Sequence, residues 1–124
     1  MSRYCVVNCM DGRIQIPVIE FVKENYGVEY VDAVTEAGPI IYLSDKQDSE
    51  ECRSIVRRVA VSEKKNKSVG AAVVAHYDCQ GNPLGKEGQL KQLEKSVEFL
   101  KKSFPNLSIK GLWVNEKWQC EEIY

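Results

Sequence analysis

The chain has 124 residues, 44% of them hydrophobic and 28% charged, with 17 Lys and Arg against 18 Asp and Glu for a formal net charge of −1. So even a balance excludes the basic footprint of a nucleic-acid binder or of a protein that reads acidic membranes, and no apolar run reaches the ~20 residues of a membrane helix. The length suits one folded unit, expected to span 1–124, that is long enough to bury a core.

YCVVN (4–8) reads as a short buried strand. IPVIEFVKENYG follows as a helix, with Pro17 in its first turn, Val18, Ile19, Val22 and Tyr26 on one face, and Gly27 as its stop. VEYVDAV (28–34) is expected as the second strand and residues 38–47 as a loop. Asp48 and Glu51 have the spacing of a capping box. Beyond them Cys52, Ile55, Val56, Val59 and Ala60 recur at helical spacing, up to the charged run EKKNK (63–67). VGAAVVAH (69–76) is the most continuous apolar run and fits a central parallel strand covered on both faces. Leu90, Leu93, Val97, Leu100 and Phe104 form the stripe of a further helix that Pro105 ends. IKGLWV (109–114) and KWQCEEIY (117–124) close the chain as a hairpin through Asn115-Glu116. The order predicts a three-layer α/β sandwich with a mainly parallel central sheet of about four to five strands, its site beyond the carboxyl ends of the strands.

Five cysteines is an odd number, and their spacing suggests no disulfide framework. The N-terminus MSRYCVVNC lacks an apolar export segment, so a reducing cytoplasmic setting with free thiols is expected. In that setting two of the apolar runs end oddly. The first strand breaks into Cys9, Asp11 and Arg13, and the third into His76 and Cys79. If those strands are neighbours, both breaks fall on one rim. Cys9, His76 and Cys79 would then offer two thiolates and one imidazole, a donor set that favours zinc and leaves a fourth tetrahedral position. Asp11 has two readings there. It could accept the proton of a zinc-bound hydroxide, with Arg13 holding it ionised, or it could itself be the fourth ligand until Arg13 draws it away. As plain helix chemistry, Asp11 also suits a helix N-terminus. The stretch 80–88 lacks the spacing of a phosphate loop, and neither Cys9 nor Cys79 has the arginine a thiol phosphatase needs.

CMDGR (9–13) and HYDC (76–79), in this order, resemble the β-class carbonic anhydrases, in which C-x-D-x-R follows the first strand and H-x-x-C the third. TEAG (35–38) is similar to that family's turn after the second strand, usually R-N-A-G, and LWV…EEI to its last strands. Ala75 and Gln80 stand where the family commonly has glycine, with Gly81 one place late. The resemblance implies a minimal zinc lyase. Cys9, His76 and Cys79 would be metal ligands, and Asp11 and Arg13 a catalytic dyad. Zinc-bound hydroxide would hydrate carbon dioxide to bicarbonate and a proton. It also implies a homodimer or higher homo-oligomer; the charge balance gives no reason to expect a nucleic-acid or membrane partner. The alternatives are a non-catalytic zinc module of the same fold, structural or sensing, and a hydrolase of carbonyl sulfide or carbon disulfide.

Overall fold

A computed structural model describes residues 2–124. Its elements run β1 (Arg3–Cys9), α1 (Gly12–Tyr26), β2 (Tyr30–Glu36), α2 (Pro39–Ser44), α3 (Glu50–Lys64), β3 (Gly70–His76), α4 (Lys86–Ser103), β4 (Ser108–Val114) and β5 (Cys120–Glu122). The five strands lie in the order β2-β1-β3-β4-β5. The first four are parallel, and β5 returns antiparallel on β4. This is the mainly parallel α/β sandwich that the alternation of strand and helix predicts.

Because side chains alternate along each strand, the sheet feeds two cores. Cys5, Val7, Ala71, Val73, Ala75 and Trp113 point to the layer of α2, α3 and α4. Tyr4, Val6, Ala72, Val74, Leu112 and Val114 point to α1. β3 is buried along its whole length, which explains its small and β-branched composition. Helix α1 packs through Ile14, Val18 and Val22, each worth about 2 kcal/mol on burial.

Several boundaries differ from the sequence reading, each for a physical reason. α1 begins at Gly12, four residues before Ile16, since Asp11 caps it, as helix-start chemistry allows, by accepting from the Arg13 amide at 2.9 Å. Pro17 therefore sits inside the helix, where it has no N–H to offer the Arg13 carbonyl. Ile19 is 36% exposed and outside the buried stripe. Residues 39–44 are a short helix rather than loop, with Pro39 in its first turn and Gly38 left-handed before it. The cap of α3 is Ser49, not Asp48, and its side chain accepts from the Cys52 amide.

The edge strand β2 is tied down by one carboxylate. Asp32 accepts from Ser62 Oγ at 2.7 Å, Asn66 Nδ2 at 2.9 Å and Arg3 Nη1 at 3.2 Å. Burial works against its charge, but the hydrogen bonds from Asn66, Ser62 and Arg3 prevail and lower its pKa. A depressed carboxylate contributes stability above its unfolded pKa of about 3.9, and that contribution is lost as pH falls through the lower folded value. Asp32→Ala is expected to cost about 2 kcal/mol in urea unfolding near neutral pH. The gap to the native chain should close in acid; a gap that stays constant would show that the carboxylate's charge is not the cause.

Candidate metal centre

The parallel pairing of β1 with β3, Cys5 opposite Ala71 and Val7 opposite Val73, brings the ends of both strands to one rim. Cys9 ends β1 and His76 ends β3; Cys79 follows after one turn. One ligand atom from each of Cys9, His76 and Cys79 lies within 4.8 Å of the others, and all three residues are buried. The sulfurs are 3.9 Å apart, with Cys79 donating to Cys9.

The donor set fits a metal ion on two further grounds. His76 Nδ1 donates to the Tyr77 carbonyl at 2.8 Å, so in the neutral ring Nε2 carries the lone pair. That Nε2 is buried and has no hydrogen-bond partner among the described residues, an uncompensated group of the kind an ion would satisfy. The thiols are also polarised. Cys9 is driven toward thiolate, first by the Cys79 hydrogen bond, against burial, with help from His76 and the Gly38 and Asp11 amides. Cys79, as donor to that thiolate and itself buried, is pushed up. Burial opposes charge on His76, yet the Cys9 thiolate and the Tyr77 carbonyl raise its pKa. Cys5, Cys52 and Cys120 are free thiols away from this group.

Asp11 and Arg13 stand beside Cys9 at the start of α1. Arg13 Nη2 donates to Asp11 Oδ2 at 2.7 Å and Nε to Oδ1 at 3.1 Å. The carboxylate is 15% exposed and the guanidinium 42%. Those hydrogen bonds hold the Asp11 carboxyl at a pKa of about 2, with burial opposing and the Arg13 amide assisting. Asp11 therefore caps the helix and pairs with Arg13 at once. Cys9, Met10, Asp11, Ala37, Gln80 and Gly81 line an open hollow of about 370 Å³ over this rim.

Much of the site's support comes from residues that the sequence reading assigned no such role. Gln89 lies on α4 and is buried. It accepts from the His76 amide and donates to the carbonyls of His76 and Leu84, at 3.3, 3.0 and 3.1 Å. Gln92 accepts from Asn82 and donates to Asp45. These amides clamp the loop that carries Cys79. Their signal was present: Gln89, Gln92 and Ser96 fall among Leu93, Val97 and Leu100 on the buried face, where a polar residue needs a partner. Gln15 donates to the Cys9 and Asp11 carbonyls and so works as a backbone brace. Glu36 accepts from Arg58 at 3.2 Å.

A fold with this strand order and a Cys-His-Cys cluster with a carboxylate–guanidinium pair on one rim together define a carbonic anhydrase-like α/β protein. The chain belongs to the family described as "Putative carbonic anhydrase", whose model matches residues 1–124. It is similar to solved β-carbonic anhydrases. Isoform I of Trichomonas vaginalis is 16% identical with a TM-score of 0.65, covering 97% of this chain and 81% of that one. CafD of Aspergillus fumigatus is 14% identical with a TM-score of 0.59, covering 100% and 90%. A tetrameric β-carbonic anhydrase of Sordaria macrospora is 11% identical with a TM-score of 0.53, covering 97% and 79%. No curated protein matches the chain in sequence.

The TEAG turn bears directly on the metal loop. Gly38 has φ +61°, and a Cβ there would stand 2.6 Å from the Gly81 carbonyl oxygen. Gly81, one place later than the family's usual glycine, returns the contact, since a Cβ on it would come 2.9 Å from the Gly38 nitrogen. Both a positive φ and a backbone contact therefore demand glycine at position 38. Gly38→Ala is expected to cost roughly 2–3 kcal/mol in urea unfolding and to shift Cys79 away from Cys9 and His76 by displacing the 79–81 loop. An unchanged midpoint, with Cys79 as protected from thiol reagents as in the native chain, would show that this packing does not support the site.

Proposed function

We propose that the chain catalyses the reversible hydration of carbon dioxide to bicarbonate and a proton, with Cys9, His76 and Cys79 as ligands of one zinc ion. The observation that carries this reading is the Asp11–Arg13 pair next to a buried Cys-His-Cys group, with Asp11 and Cys9 on the wall of the same hollow. Zinc held there would supply a water acidic enough to ionise near neutral pH.

The chain's own residues do the rest. Asp11, ionised at any working pH, accepts a hydrogen bond from the nucleophile and so aims its lone pair at the substrate carbon. Both Asp11 oxygens accept from Arg13, which supports a carboxylate that stays off the ion and leaves a fourth position for water. Met10, Ala37 and Gly81 give the hollow an apolar wall suited to a linear, uncharged substrate. The Cys79 loop, clamped by Gln89 and Gln92, keeps the sulfur in place through the cycle. The reading includes a cytoplasmic protein that works as a homodimer or larger assembly. Met10, 67% exposed at the hollow, and Ile16, 67% exposed on α1, are apolar surface that a second copy would cover.

Stopped-flow hydration with zinc-loaded protein tests the proposal. The native chain is expected to accelerate the reaction well above buffer. Asp11→Asn should keep its zinc and lose about 100-fold or more in kcat. A zinc-loaded chain with no rate above buffer, or an Asp11→Asn variant of undiminished rate, would contradict it.

A further inference from the structure

Arg13 is half-exposed on the first turn of α1, where a long side chain ordinarily samples many rotamers. Here it is gripped from three directions. Asp11 takes Nε and Nη2. The loop after β3 supplies Asp78, whose Oδ2 accepts from Nη1 at 3.2 Å and whose carbonyl accepts from Nη2 at 3.0 Å. The turn between β4 and β5 supplies Trp118, with the Arg13 Cζ 4.4 Å from the indole centroid, well inside cation–π range.

Both outer contacts rest on unusual backbone. Asp78 has φ +56° and Trp118 φ +58°. Aspartate tolerates the left-handed region, whereas a bulky aromatic is a true outlier there and persists only where its surroundings over-determine it. Those surroundings are on hand. The Asn115 side chain accepts from the amides of Lys117 and Gln119, and its carbonyl accepts from Trp118. The Tyr77 ring meets the indole edge-on at 6.3 Å. Glycine would suit that backbone far better; tryptophan there sets an aromatic face against Arg13.

We propose that Trp118 and Asp78 are positioning residues for the Asp11–Arg13 pair. The indole face and the two Asp78 oxygens fix the plane of the guanidinium, and the guanidinium in turn fixes the direction of the Asp11 carboxylate. Neither residue touches the substrate; both act through Arg13. This rests on the reading of Asp11 as the group that orients the nucleophile.

Two measurements separate the brace from that reading. In ¹⁵N-labelled protein the Arg13 Nε–H resonance, identified by its loss in Arg13→Lys, is expected upfield under the indole ring current and slow to exchange with solvent. Trp118→Leu should abolish both properties and Trp118→Phe retain them in part. An Arg13 resonance indifferent to Trp118→Leu, or to Trp118→Phe should the leucine variant not fold, overturns the brace whether or not the protein hydrates carbon dioxide. In the zinc-loaded enzyme Trp118→Leu should lower kcat about tenfold with KM nearly unchanged, and Trp118→Phe should recover most of it. Asp78→Asn, which keeps the carbonyl contact, should lose about threefold. In an Arg13→Lys background Trp118→Leu should add nothing, because residues that act through one another are not additive. Additive losses would overturn the positioning role. A native enzyme without hydration activity, but with the expected Arg13 resonance, would overturn the functional reading and leave the brace standing.

Discussion

The structure depends on one pairing, that of β1 with β3. These strands are far apart in sequence, and their parallel alignment brings the end of one, with Cys9, to the end of the other, with His76 and Cys79. A one-residue slip would turn every side chain to the opposite layer. The register is guarded because both faces are buried and different: α1 on one side, three helices on the other. The sheet core and the candidate metal centre therefore share a single cause.

Around that rim, charge is arranged so that each polar group answers another. The Cys79 thiol donates to the Cys9 sulfur, and His76 leaves Nε2 buried without a hydrogen-bond partner among the described residues. Asp11 is committed to Arg13, and Arg13 to Asp78 and Trp118. Such a relay lets an exposed ion pair keep a defined geometry, which a lone surface salt bridge does not. It also joins the fold to the site. The short antiparallel β5 extends the sheet only a little, but the turn leading to it carries Trp118 to Arg13.

The sequence made the fold class legible because strand and helix periods alternate cleanly and β3 is an unbroken apolar run. The convergence of Cys9, His76 and Cys79 was legible too, since thiol and imidazole at the ends of apolar strands have few bland explanations in combination. What escaped was local or long-range. A six-residue helix at 39–44 is too short for periodicity to show. Two starts for α1 were on offer, Pro17 in a first turn and Asp11 as a cap, and the fold takes the second. The grip on Arg13 needs three segments that meet only in the folded chain, and nothing in the spacing of Asp78 and Trp118 announces it. Gln89 and Gln92 were within reach, as polar residues on a buried stripe, but only contacts with His76, Leu84, Asn82 and Asp45 give them a purpose.

X-ray absorption at the zinc edge of the metal-loaded protein tests most directly whether Cys9, His76 and Cys79 hold one ion. The expected coordination is two sulfurs at about 2.3 Å with nitrogen and oxygen neighbours at about 2.0–2.1 Å, falling to one sulfur in Cys9→Ala. A zinc shell with fewer than two sulfurs in the native chain, or one unchanged by Cys9→Ala, would contradict it.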